Sequence, residues 1–162
     1  MVQKVNKEQS MFIPGPVGKL ETAFYENTNT NILGIFCHPH PLFGGTMNNK
    51  VVTTVIKSWQ QLGINTLRFN FRGIGQSEGT AVAGQGEIED LRSVLEWAKS
   101  HYPKARLWLG GFSFGAYIAA TVASQFPEKS QALLTIAPPV QHYPLAAITT
   151  PTCPWLVIQG DE

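Results

Sequence analysis

The residues best able to do chemistry lie in the run Gly111-Phe112-Ser113-Phe114-Gly115, a Gly-x-Ser-x-Gly pattern. A serine hydroxyl is a weak nucleophile until a base takes its proton and donors hold the oxyanion that it creates. The pattern meets the geometric part of that need. It suits a tight, strained bend between a strand and a helix, where side chains in place of the glycines would collide. The bare string is weak evidence, because glycine and serine are common. Its surroundings are what the chemistry asks for: Leu107-Trp108-Leu109 reads as strand before it, and residues 116–123 read as helix after it. Ser113 is the candidate nucleophile, and the backbone amide of Phe114, at the start of the helix, is one candidate oxyanion donor. The bland reading is an ordinary strand-to-helix turn with a capping serine.

A second donor is expected from the loop after an earlier strand ending at Cys37, which reads His38-Pro39-His40-Pro41-Leu42-Phe43-Gly44-Gly45. Proline has no N–H, so within residues 39–41 only His40 can donate, and the prolines hold that amide in a fixed direction. The alternative is a stiff loop carrying two surface histidines. As a metal pair, His38 and His40 fall short of the three or four ligands a site needs, with no Cys, Asp or Glu close in sequence. Gly44-Gly45-Thr46 and Gly73-Ile74-Gly75 match neither the dinucleotide nor the Walker pattern and read as tight turns.

The elements that must position these residues alternate in period. Phe12-Ile13 and residues 20–25 read as short strands joined by the turn Pro14-Gly15-Pro16-Val17-Gly18, an antiparallel N-terminal hairpin. Strands are expected at residues 32–37, 64–71, 106–110, 132–137 and 155–159. A helix over 48–62 places Val51, Val52, Val55, Ile56, Trp59 and Leu62 on one face, and one over 87–101 carries the stripe Ile88, Leu91, Val94, Leu95 and Ala98. The helix over 114–126 is apolar nearly all round and should be buried. Alternation of strand and helix from residue 32 onward predicts an α/β fold: a mostly parallel sheet with helices on both faces.

The 162 residues are one domain's worth, 43% hydrophobic and 14% charged, with a formal net charge of +1. No basic run is present to attract nucleic acid or an anionic membrane, so a small molecule is the expected partner and no cofactor is called for. Cys37 and Cys153 lack metal spacing and read as reduced, buried thiols, and residues 1–10 lack the apolar stretch of a secretory signal. The expected location is cytoplasmic. The strand at 155–159 is followed only by Gly160, Asp161 and Glu162. An apolar strand needs cover on both faces, so the chain reads as a single domain truncated at its C-terminus.

With these blocks in hand, the chain resembles the small, lidless bacterial α/β-hydrolases related to dienelactone hydrolase and short-chain carboxylesterases. The likeness rests on His38-Pro39-His40-Pro41 through Gly44-Gly45-Thr46-Met47-Asn48-Asn49-Lys50-Val51-Val52, on Arg68-Phe69-Asn70-Phe71-Arg72-Gly73, and on Gly110-Gly111-Phe112-Ser113-Phe114-Gly115-Ala116-Tyr117. Ala137-Pro138-Pro139 and Trp155-Leu156-Val157-Ile158-Gln159-Gly160-Asp161 extend it over nearly the whole chain. The resemblance implies a serine hydrolase acting on carboxylic esters through an acyl-enzyme, with Ser113 as nucleophile and His40 and Phe114 as oxyanion donors. It also implies a triad in the order serine, acid, histidine, whose acid falls one residue past Glu162 and whose histidine comes later still. Among the histidines present, His142 and His38 lie on loops near Ser113 in such a fold, but both violate that order. The rival reading is a non-catalytic module that keeps the fold and binds a small molecule or a partner.

Overall fold

The computed structural model of the 162-residue chain describes residues 7–27 and 29–161. Seven strands form one sheet in the order β1-β2-β4-β3-β5-β6-β7. They are β1 (Gln9–Gly15), β2 (Gly18–Tyr25), β3 (Ile32–Cys37), β4 (Asn65–Phe69), β5 (Arg106–Phe112), β6 (Ala132–Ile136) and β7 (Trp155–Ile158). The expected hairpin is present: β1 and β2 pair antiparallel, closed by a two-residue turn between Gly15 and Gly18, and β2 then pairs antiparallel with β4. From β4 to β7 every neighbour is parallel. Long crossovers carrying helices are the usual way to join parallel strands, which is why the two periods alternate in the sequence.

Three helices cover the sheet: α1 (Lys50–Gln61), α2 (Gln85–His101) and α3 (Phe114–Gln125). Strand alternation sorts the side chains of β3 to two faces. Leu33, Ile35 and Cys37 join the larger core, which holds the stripe of α2 and the buried residues of α3, whereas Phe36 meets Val52, Val55, Ile56 and Trp59 of α1. Gly34 is where α1 comes closest: a Cβ there would lie 2.3 Å from the Trp59 ring. α3 is buried nearly all round, as its composition requires.

Several sequence expectations shift at their edges. Helix α1 starts later than residue 48, because Asn49 is its cap and its side chain accepts the Val51 N–H at 2.9 Å. Leu62 follows the last helical residue and is 71% exposed, so it leaves the buried stripe. Cys37 is buried as expected, while Cys153 is only half-buried. The apolar strand β7 lies at the edge of the sheet, with Leu156, Val157 and Ile158 exposed. Among the described residues, no helix is long and apolar enough to cross a membrane.

Candidate active site

Ser113 stands between the last residue of β5 and the first of α3, with φ 55° and ψ −117°. A non-glycine residue at positive φ is strained by about 1–2 kcal/mol and persists only where its surroundings over-determine it. Here they do. The Ser113 N–H donates to the Ile136 carbonyl of β6 at 2.9 Å, and its carbonyl accepts from Ala116 N–H at 2.9 Å. Both motif glycines are required by close backbone approach. A Cβ on Gly111 would lie 2.1 Å from the Gly115 carbonyl carbon, and one on Gly115 would lie 2.3 Å from the Cys37 carbonyl oxygen. The bend is therefore clamped against the end of β3. The half-buried serine stands beside the positive end of α3.

The contact of Gly115 with Cys37 and His38 brings the His38–Gly45 loop to the serine. His40 caps a short 3-10 turn, Pro41–Phe43, through its side chain: Nδ1 accepts the Leu42 N–H at 3.2 Å. Its carbonyl accepts from both Phe43 N–H at 3.2 Å and Gly45 N–H at 3.0 Å. Gly44 closes the turn at φ 80°, and Gly45 passes so near Pro39 that a Cβ would lie 2.1 Å from its carbonyl oxygen. The loop is thus fixed by its own bonds. Among the described residues, neither the His40 amide nor the Phe114 amide donates to a protein acceptor. Neither amide is committed to a backbone bond of the turn or the helix.

His38 is not a surface histidine: it is fully buried. Nδ1 lies 2.7 Å from the Pro39 carbonyl and Nε2 accepts the Phe71 N–H at 3.1 Å. A carbonyl only accepts and an N–H only donates, so both partners demand the neutral Nδ1–H tautomer. Burial pushes its pKa down to about 4. With both nitrogens engaged, His38 is a tie between the ends of β3 and β4, available neither as base nor as metal ligand. His142 is exposed, with its backbone N–H on the Pro139 carbonyl at 3.1 Å. Among the described residues, no hydrogen bond joins Ser113 Oγ to a histidine.

Two features of the site escape a reading by local pattern. One is a row of rings beside the serine: His40 to Phe114 at 5.2 Å between centroids, Phe114 to Tyr143 at 5.5 Å, and Tyr143 stacked on Tyr117 at 4.6 Å. Burial raises the Tyr143 pKa, which keeps that phenol neutral. The other is a buried polar brace beneath the loop after β4. Arg72 pairs with Asp90 at 2.8 Å, and the Arg72 N–H donates to Asp90 at 2.9 Å. The Glu87 carboxylate accepts the amides of Val82, Ala83 and Gly84, each at 3.0 Å. Glu87 and Asp90 adjoin the apolar stripe of α2, and that position was the available signal.

The chain matches the family described as alpha/beta hydrolase fold over residues 40–152. An alpha-beta serine hydrolase homologue from Coxiella burnetii is 47% identical and superposes with a TM-score of 0.89, covering all of this chain and 76% of its own. A serine hydrolase without lid from Xanthomonas campestris is 40% identical at a TM-score of 0.87, covering 96% and 72%. An esterase from Pyrococcus furiosus is 26% identical at 0.75, covering 83% and 52%. An uncharacterized protein of Rickettsia prowazekii is 37% identical over 157 residues, and the chain spans 66% of that relative's length. With the family match covering residues 40–152, the chain belongs to the alpha/beta hydrolase fold family.

Proposed function

We propose that the protein is a serine hydrolase of carboxylic esters, working through an acyl-enzyme on Ser113. The observation that carries this reading is a serine held at φ 55° on a strand-to-helix bend, flanked by two amides with no protein acceptor. A side chain kept at such a cost, with donors aimed at nothing in the protein, is what acyl transfer needs. Ser113 Oγ attacks the ester carbonyl as its proton passes to a base, and the amides of Phe114 and His40 hold the oxyanion. Collapse of the tetrahedral intermediate expels the alcohol, which takes the proton from the base. Water, deprotonated by the same base, then attacks the acyl carbon and releases the acid with the serine restored. The family resemblance implies that the supporting acid and the base follow Ser113 in the chain, in the order serine, acid, histidine. The Pyrococcus esterase supports the ester class, and the lidless Xanthomonas enzyme supports an open site.

A fluorophosphonate probe tests the reading on the full-length protein. Covalent labelling is expected, and Ser113→Ala should abolish it. A folded protein that takes no label would overturn the hydrolase reading in favour of a binding module that retains only the fold.

A further inference from the structure

One part of the His38–Gly45 loop has no role in the mechanism above. Leu42 is 62% exposed and Phe43 is 84% exposed, consecutive on the 3-10 turn that His40 caps. Single exposed apolar residues are ordinary. These two differ in how they are held. The turn is fixed by the His40 side chain, by two backbone bonds to the His40 carbonyl, by buried Pro41 and by Gly44 and Gly45. The Phe43 ring lies 4.5 Å from the His40 ring, which in turn lies 5.2 Å from Phe114, the residue after the serine. An exposed aromatic ring is therefore presented on a braced turn, two ring contacts from Phe114, the neighbour of Ser113. Val140, 66% exposed, follows β6 on the other side of β5.

We infer that Leu42 and Phe43 form an apolar platform that binds the hydrocarbon arm of the ester and sets the preference for its length. The platform depends on the proposed site for its place beside the carbonyl, but its binding is separable from the chemistry. Rings already ordered in the free protein lose little entropy on binding, so contact area converts efficiently into affinity. Each methylene laid on such a surface contributes part of what full burial gives, and several together are expected to give at least about a tenfold preference.

The test uses the full-length protein carrying Ser113→Ala and three stable amides: N-methylacetamide, N-methyloctanamide and N-octylacetamide. Dissociation constants are read from the NMR shifts of the His40 and Leu42 amides. At least one octyl compound should bind about tenfold or more tightly than N-methylacetamide, and which one does so tells whether the arm is the acyl or the alcohol side. Phe43→Ser should erase the difference, while Leu62→Ser, which removes another largely exposed apolar side chain elsewhere, should leave it. Equal affinity of all three amides, no saturable shift with any of them, or a preference that survives Phe43→Ser, would overturn the platform. Failure of Ser113 to take the fluorophosphonate label would overturn the mechanism and leave this binding result standing.

Discussion

At the residue scale, Gly115 shows how the elbow is built from what is missing. A methyl there would meet the Cys37 and His38 carbonyl oxygens at 2.3 and 2.5 Å, and Cys37 is itself in register with Gly111 across β3 and β5. Neither backbone can yield without parting the two central strands. Gly115→Ala is therefore expected to destabilise the fold by about 1–3 kcal/mol, read from urea unfolding. Fluorophosphonate labelling should slow even where the variant is folded, because the His40 loop is displaced from Ser113. His38 makes a second prediction. Its folded pKa of about 4 lies below the ordinary 6.5, so between these values the unfolded chain holds more protons than the native one. Stability should fall as the pH drops from 6.5 toward 4, by up to about 3 kcal/mol, and level off below. Unfolding midpoints across that range check it, and His38→Gln should flatten the slope. The bend at Ser113 is legible in the sequence because its motif is local. His38 is not, because its fate is decided by the Phe71 amide, which only the fold brings to it.

Among the elements, legibility follows period. The stripe of α2 from Ile88 to Ala98 is wholly buried because a spacing of three and four residues keeps one face toward the sheet. The elbow strand and helix start where the pattern puts them, but β5 runs on past residue 110 to Phe112 and α3 stops at Gln125, while the start of α1 shifts to its cap at Asn49. The polar brace was hidden for a different reason. Arg72 and Asp90 lie 18 residues apart and on different elements, and nothing local pairs them. The pair is buried, with 9% of the arginine side chain and none of the aspartate exposed. Removing Asp90 leaves Arg72 only the exposed carboxylate of Glu89 at 4.0 Å, so Asp90→Ala should cost about 3–5 kcal/mol. The double variant Arg72→Met/Asp90→Ala should recover part of that loss, since no charge is then left unpaired. Thermal unfolding of the two variants separates an uncompensated charge from simple loss of packing. Equal stability would show that the brace acts through the Arg72 amide and not through the ion pair.

For the whole molecule, the decisive feature is the open side of the sheet. β1 and β7 are its edges, and β7 is the apolar one, with Leu156 61%, Val157 48% and Ile158 49% exposed. Native edges are usually blunted by charge, proline or a covering element, and β7 itself has none of these. The groove beside it, lined by Trp59, Trp108, Leu134 and Leu156, continues the apolar surface across the face that α1 leaves uncovered. Such a surface must be covered by something. The 162-residue chain by itself is then expected to self-associate at micromolar concentration, by pairing β7 edges or by burying the groove. Val157→Lys, which places a charge on the edge strand, should shift it toward monomer in sedimentation velocity. A 162-residue chain that stays monomeric and binds no hydrophobic dye would show that neither the β7 edge nor the groove drives association.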